Sequence, residues 1–487
     1  MRYKVIGPPG TGKTRKLLNR VKHYVNKKNV PLDQIGYFAF TRKAAGEARA
    51  RYLESRPELI KKDIKYFQTL HSFAFNNLGL KEAQVMQEEN YKNIGDTCGI
   101  QIKYAHYEKN EFNGIFTSDS EYLSLINLAR VRQINPLDQL DKNEHLGRIE
   151  RTKLDAVSKE INNYKKVYEL IDYTDMLEQF LAKGKCPCFK VVFIDEAQDL
   201  SLIQWEMVKR LEEHSVDIWI AGDDDQAIFG WAGADVNSFI KWEATEIPLT
   251  KSERVPYEIQ QRALNVIERI ENRIHKTYNP KAELGSIEIA SKLRDIPVEK
   301  GKWLILARTK DLLKPLIRTL KRKGVYFETV QGKSMGEGLY KNVMNWNLLK
   351  QGKNIPDIHM QRLFEKMDLK YNEKEDYKSK IDLNKEWHEA FTAESPERIA
   401  YLQSMLINGE DLSKEPRIKV STIHGAKGGE APNVVLLLNQ TSNTMKGAKK
   451  SQTRQDEEYR VWYVGITRTG QKLYLIKCKN RKKEFKI

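Results

Sequence analysis

One run of eight residues limits this chain more than any other: Gly7-Pro-Pro-Gly-Thr-Gly-Lys-Thr14. It fits G-x-x-x-x-G-K-[ST], a loop whose backbone N–H groups turn inward onto a phosphate chain. A short strand-like stretch, Arg2-Tyr-Lys-Val-Ile6, precedes it, and Leu17, Leu18, Val21 and Val25 follow at helical spacing. Strand, loop and helix in that order are what the motif needs, because the helix N-terminus adds its dipole to the anion site. Gly7, Pro8, Pro9, Gly10, Thr11, Gly12, Lys13 and Thr14 are therefore expected to hold a nucleoside triphosphate.

A phosphate loop fixes a ligand class and no function. A second run narrows the choice: Val191-Val-Phe-Ile-Asp195-Glu196-Ala197-Gln198-Asp199. A buried apolar strand that ends in two acids sets carboxylates at the edge where α/β sheets bind ligands. Asp195 is expected to orient Mg²⁺ beside Thr14, and Glu196 to take a proton from an attacking water.

At 487 residues the chain is too long for one core. Lys and Arg number 83 against 66 Asp and Glu, a net charge of +17. That balance points to a polyanionic partner, most simply nucleic acid, and gives no base preference. Four cysteines, Cys98, Cys186, Cys188 and Cys478, exclude a disulfide framework and suit a reducing compartment. Cys186-Pro-Cys188 lacks partners at metal-ligand spacing and reads as a loop before a strand. No apolar run approaches a membrane span, and strand-like sequence begins at residue 2, so a soluble cytoplasmic chain without membrane contact is expected.

Short apolar runs mark buried parallel strands at Ile35–Phe40, Tyr66–Leu70, Lys190–Ile194, Asp217–Ala221, Trp303–Ala307, Ile418–Ser421, Val434–Leu438 and Lys472–Ile476. Two charged, helical stretches without such runs interrupt them. The expected organisation is a first α/β core over 1–79 and 173–249 with a helical insertion at 80–172. A second α/β core follows over 250–335 and 416–487, with an insertion at 336–415. The basic end, Lys477 to Ile487, reads as a solvated tail.

Several further motifs stand in order around these two. They are Ala39-Phe-Thr-Arg-Lys-Ala-Ala45, Thr69-Leu-His-Ser72 and Gly222-Asp-Asp-Asp-Gln-Ala-Ile-Phe-Gly-Trp-Ala-Gly-Ala234, then Glu253-Arg254. Ser421-Thr-Ile-His-Gly-Ala-Lys-Gly428 and Tyr463-Val-Gly-Ile-Thr-Arg468 follow. Together with the loop and D-E-A-Q-D they resemble the UvrD/Rep family of superfamily 1 DNA helicases over almost the whole chain. The resemblance implies two RecA-like P-loop NTPase cores that close on ATP and Mg²⁺, with single-stranded DNA, or a single/double-strand junction, across their top. It implies movement 3′ to 5′ along the bound strand, and leaves room for a protein partner.

The same resemblance assigns roles. Lys13 would contact the β- and γ-phosphates, and Gln226 would sense the γ-phosphate. Arg254 and Arg468 would reach across from the second core, supplying planar positive charge to the equatorial oxygens. Glu430 would contact the ribose, and Arg15 one face of the base. Phe40, Phe229 and Trp231 would stack on unpaired bases, with Trp231 least covered because Gly230, Ala232 and Gly233 surround it. Thr69, His71 and His424 stand in matching motifs at the DNA side, where the histidines would orient loops or touch the strand rather than bind metal.

The chain also departs from the family pattern. Six residues precede the loop, without the upstream glutamine that reads adenine in the family; Glu253 stands in place of the tyrosine that covers the base, and Ala232 in place of an arginine. The expected function is an ATP-dependent DNA helicase. A translocase that strips proteins without opening duplex, and an ATP-gated recruitment factor, are the alternatives.

Overall fold

The computed structural model describes residues 1–107, 115–142, 149–372 and 380–487. Two α/β cores each carry a largely parallel sheet, the RecA-like pair that the resemblance implies. In chain order the strands of the first core and its insertion are β1 (Arg2–Ile6), β2 (Ile35–Ala39), β3 (Phe67–Gln68), β4 (Ala105–Tyr107), β5 (Phe116–Ser118), β6 (Phe189–Asp195), β7 (Ser215–Gly222) and β8 (Thr245–Pro248). The first sheet runs β3-β2-β6-β7-β1-β8, all parallel. Its strands are covered on both faces, as their unbroken apolar runs require. Val191 and Phe193 join Val5, Leu17 and Val21 on one face, while Val192 and Ile194 join Phe38, Ile218 and Ile220 on the other. This order places the C-terminal ends of β1, β6 and β7 side by side, which brings the phosphate loop next to Asp195 and Gly222.

The second core contains β9 (Lys251–Pro256), β10 (Asn279–Lys281), β11 (Ser286–Ala290), β12 (Trp303–Ala307), β13 (Phe327–Thr329), β14 (Gly332–Lys333), β15 (Ile418–Thr422), β16 (Ala431–Leu437) and β17 (Thr469–Ile476). Its sheet runs β11-β17-β16-β12-β15-β13-β14, parallel except for the β13–β14 pair, and β9 pairs with β10 apart from it. One face of this sheet, with Leu304, Leu306, Val434 and Leu436, packs in one cluster with Ile228 and Phe229 from the first core. The seam between the cores is therefore partly apolar.

The two helical stretches attach differently. Helices Glu88–Thr97, Glu121–Val131 and Arg151–Val167 build a small core of their own from Tyr91, Ile94, Leu123, Ile126, Leu154 and Ile161. That stretch also holds the antiparallel β4–β5 pair, whose strands of three residues each are too short to stand out as apolar runs. Among the described residues the other stretch makes no separate core. Leu339, Val343 and Trp346 of helix Glu337–Lys350 pack in one cluster with Ile305, Val420 and Val435 of the second sheet. Cutting Trp346 to Ala there should cost ~3–5 kcal/mol. The basic C-terminal end is no loose tail: Phe485 stacks on buried Trp462 at 4.5 Å between ring centres. Among the described residues no helix is long and apolar enough to cross a membrane.

Candidate functional site

The loop after β1 bends through two glycines in the left-handed region, Gly10 at φ 77° and Gly12 at φ 82°. Gly12 caps helix Lys13–Lys28, so the helix dipole points into the loop. Gly10 meets a second demand. A Cβ there would lie 2.4 Å from Arg254 Cβ, so only glycine lets the second core approach this closely. Ser252 Oγ donates to Pro9 O at 2.8 Å, and the Glu253 N–H donates to Gly10 O at 2.9 Å. The strand β9 thus lies directly against the loop. Lys13 Nζ donates to Gly7 O at 2.8 Å, which keeps the ammonium inside the cradle.

Asp195 ends β6 and is 2% exposed. Its Oδ2 accepts from Thr14 Oγ1 at 2.7 Å and from the Tyr37 hydroxyl at 2.8 Å. Burial, then the neighbouring Glu196, push the Asp195 carboxyl up, against those two donors and Lys13. A hydroxyl and a carboxylate in contact form an oxygen-only donor pair, which suits Mg²⁺ bound mainly through substrate phosphates and water. No group of three or more His, Cys, Asp or Glu poised for a metal occurs among the described residues.

Glu196 takes a left-handed backbone, φ 55°, at the start of a short helical turn. Burial would raise its carboxyl, but Lys13, then Lys427 and Arg468, hold it below its usual range, so it stays ionised and able to accept a proton. Gln198 Nε2 donates to Glu196 Oε2 at 2.6 Å and fixes its position. Beside it, burial pushes Asp199 up to about 7 despite its ion pair with Lys427 of the second core.

The second core delivers two arginines. Arg254 pairs with Glu430, and Arg468 Nη2 donates to Gln226 Oε1 at 2.6 Å. Arg468 is 1% exposed, and burial together with Arg254 drives its guanidinium down to about 9. It remains charged at neutral pH, and an anion arriving between the two arginines would relieve their repulsion. Lys13, Thr14, Asp195, Glu196, Gln226, Arg254, Arg468 and Glu430 thus meet at the seam between the cores. Arg15 and Glu253 meet at its outer end in a two-pronged pair at 2.8 and 2.7 Å.

The aromatic positions form a second cluster. Phe40 and Phe229 lie 5.5 Å apart, and Trp231 and His424 lie 6.3 Å apart, each 6.3 to 6.5 Å from Phe229. Trp231 is 36% exposed, on a cavity of 790 Å³ between the first insertion and the second core that Arg308, Lys310 and His424 also line. Phe229 is buried under Lys427, whose ammonium sits 5.0 Å from the ring centre, so in this conformation it supports Trp231 rather than presenting a face. Phe40 and His71 share a small cavity with Phe229. Thr69 is buried as the cap of helix Leu70–Asn77, its Oγ1 accepting from the Ser72 N–H at 3.1 Å, so it shapes the loop. Burial, then Arg42, lowers His71 to about 4, and burial with Arg308 lowers His424 well below its usual value. Both rings are neutral at pH 7 and can meet a strand only as hydrogen-bonding groups.

Sequence reasoning gives no role to Tyr37, Gln198 or Lys427. The last two stand inside recognised motifs, which is a usable signal. Tyr37 reads only as an apolar strand residue.

Residues 2–245 match the family described as UvrD/REP helicase N-terminal domain, and residues 236–480 the UvrD-like helicase C-terminal domain. A probable DNA helicase of Mycoplasma pneumoniae is 29% identical over 248 residues, 48% of this chain and 46% of that protein. The ATP-dependent DNA helicase srs2 of Schizosaccharomyces pombe is 26% identical over 325 residues, 59% of this chain and 34% of its own length. DNA helicase II of Haemophilus influenzae is 24% identical over 297 residues, 58% of this chain and 40% of its own. The chain spans less than half the length of these curated relatives. A solved arterivirus helicase, nonstructural protein 10, aligns over 99% of this chain and 60% of its own at 11% identity and a TM-score of 0.36, too loose to carry an inference.

Proposed function

The chain belongs to the UvrD/REP helicase family, matched over residues 2–245 and 236–480, and from that premise we propose that it is an ATP-dependent motor that moves 3′ to 5′ on single-stranded DNA and opens duplex. The observation that carries this reading is the convergence of Arg254 and Arg468 from the second core on the phosphate loop and Gln226 of the first. Such a site is complete only when the cores are together, so nucleotide binding and release can open and close the molecule.

In this mechanism Lys13 and the loop N–H groups hold the β- and γ-phosphates. Thr14 and Asp195 would hold Mg²⁺, which would neutralise charge on the phosphate oxygens. Glu196 takes the proton of the attacking water, Gln226 reads the γ-phosphate, and the two arginines stabilise charge spreading over the transferred phosphoryl group. Trp231 stacks on an unpaired base beside the 790 Å³ cavity that His424 also lines, while Phe40, Phe229 and His71 surround the smaller cavity and Thr69 shapes its loop as a helix cap. Arg15 and Glu430 would contact the base and ribose. The division at 79/80, 172/173, 249/250, 335/336 and 415/416 is part of the proposal; the separate core of the first insertion supports it. Four free cysteines fit a cytoplasmic place of work.

A translocase that displaces proteins without unwinding is the second reading. The fusion of the second insertion with its sheet favours it, because little independent surface is left to grip duplex. Single-stranded DNA should stimulate ATP hydrolysis, and a 3′-tailed duplex should open far better than a 5′-tailed one. ATPase without unwinding selects the translocase; binding without turnover selects an ATP-gated recruitment factor.

A further inference from the structure

Three consecutive acids follow β7, and Asp223, Asp224 and Asp225 are all buried. Carboxylates side by side in the interior are costly unless cations reach them. Here the cations come from the other core. Lys276 Nζ lies 2.9 Å from Asp223 Oδ1 and 3.0 Å from Asp225 Oδ2, and also pairs with Asp224. Arg273 grips Asp225 with two bonds of 2.8 and 2.6 Å, and the Ile274 N–H donates to Asp224 Oδ2 at 2.8 Å. The segment that carries them is tied to the second core at both ends. Arg460 donates to Asn272 O at 3.0 Å, and Gln260 to Tyr278 O at 2.6 Å. Burial alone would depress Lys276, yet the three carboxylates raise it well above its usual value. Burial would raise Asp223, but Lys276, then Lys13, hold it below the carboxylate range.

Of the three acids, Asp223 is the one bonded to the γ-phosphate sensor. Its Oδ2 accepts from Gln226 Nε2 at 2.7 Å, while Gln226 Oε1 accepts from Arg468. A carboxamide can turn over with almost no change of shape, and a carboxylate that only accepts decides which end faces it. The Asp223 N–H also donates to Gln198 Oε1 at 3.0 Å, and Gln198 donates to Glu196. Asp223 thus meets both groups, but by different atoms: its carboxylate faces the sensor, and its backbone N–H reaches the proton acceptor through Gln198.

We propose that Lys276 is a positioning residue for ATP turnover: reaching from the second core, it fixes the Asp223 carboxylate, and through it the orientation of the Gln226 carboxamide. Closure of the cores then does two things at once. It delivers Arg254 and Arg468 to the phosphate, and it sets the groups on the opposite wall. The inference rests on the motor reading above.

The test compares buried acids that share Lys276 but differ in what else they touch. In the full chain, DNA-stimulated ATPase is measured for Asp223→Ala and Asp224→Ala, with a melting temperature for each. Asp223→Ala should lower kcat about tenfold or more with KM for ATP changed less than about threefold, while Asp224→Ala keeps kcat within about threefold. Lys276→Met should match Asp223→Ala, the double variant should be no worse than either single, and Lys276→Arg should recover most of the rate. Should Lys276→Met fail to fold, the two aspartate variants still decide. Equal losses of kcat in both would reduce the cluster to a structural clamp and overturn the inference alone. A wild-type chain without ATPase would overturn the motor reading and this inference with it.

Discussion

At the phosphate end of the seam Asp195, Gln226 and Arg468 are each 5% exposed or less; Asp195 is bonded within the first core, and Gln226 and Arg468 are bonded to each other across the two. At the outer end Arg15 and Glu253 face each other with 58% of each side chain in solvent. Both ends join the first core to the second, and both do so through an arginine. Their energetics differ. A buried hydrogen bond left without its partner costs ~1–3 kcal/mol, whereas an exposed ion pair contributes ~0–1 kcal/mol. On the proposed reading the chain should therefore discriminate strongly where the triphosphate would lie and weakly where the base would lie. Substitutions should follow that gradient from the inside outward.

The largest effect is expected at Arg468. With the proposed role of Arg468 in stabilising phosphoryl transfer, Arg468→Ala should lower kcat about a thousandfold. Arg468→Lys should recover little, because one ammonium cannot bond Gln226, Val464 and Gly429 at once as the guanidinium does. A loss below about tenfold, measured with saturating DNA and an unchanged melting temperature, would leave Arg254 as the single arginine that matters and weaken the two-core account. Next comes Glu196→Gln. Turnover should fall about 10²–10⁴-fold while nucleotide and DNA binding persist, since Thr14 and Asp195 are untouched. Near wild-type hydrolysis in that variant would remove Glu196 as the base.

The sequence shows the inner end of this gradient well and the rest poorly, for physical reasons. The phosphate loop and the Asp195-Glu196 pair are contiguous motifs, and their strands are continuous apolar runs; β1 and β12 fall where those runs do. Strands with polar or short sequences leave no such run. In β11, Ser286-Ile-Glu-Ile-Ala290 alternates, as an edge strand should, and β8, β13 and β14 are short. Tyr66–Leu70 reads as a strand, yet pairing stops at Gln68 because the Thr69 hydroxyl caps the next helix instead. The site residues without an expected role are joined by bonds between distant positions, such as Tyr37 to Asp195 and Lys427 to Asp199. A motif marks Lys427 without naming its partner, and nothing local in the chain marks Tyr37.

An intermediate effect is expected at Trp231, which sits between the extremes in exposure. Trp231→Ala should weaken single-strand affinity by ~1–3 kcal/mol and slow unwinding more than basal ATPase. Titration with labelled oligonucleotide measures the first, and a tailed-duplex assay the second. Unchanged affinity with a lower melting temperature would make Trp231 a packing residue for His424 and Phe229 instead.

The smallest effect belongs to the outer end. Selectivity against the wrong base arises when that base leaves a buried polar group unpaired. Arg15 and Glu253 already satisfy each other, bonded at 2.8 and 2.7 Å, and water reaches both, so neither is left stranded by guanine in place of adenine. ATP and GTP should therefore be hydrolysed with kcat/KM values within about a hundredfold of each other, and Arg15→Ala or Glu253→Ala should move that ratio little. Glu253→Tyr would place an aromatic ring beside the loop; a base stacked on it should gain ~0.5–1.5 kcal/mol and lower KM for both purines together. Steady-state competition between the two nucleotides reads the ratio directly. A preference beyond about a hundredfold would mean that a buried group elsewhere reads the purine edge, and the contrast between the two ends would then lie in which residues discriminate rather than in how strongly.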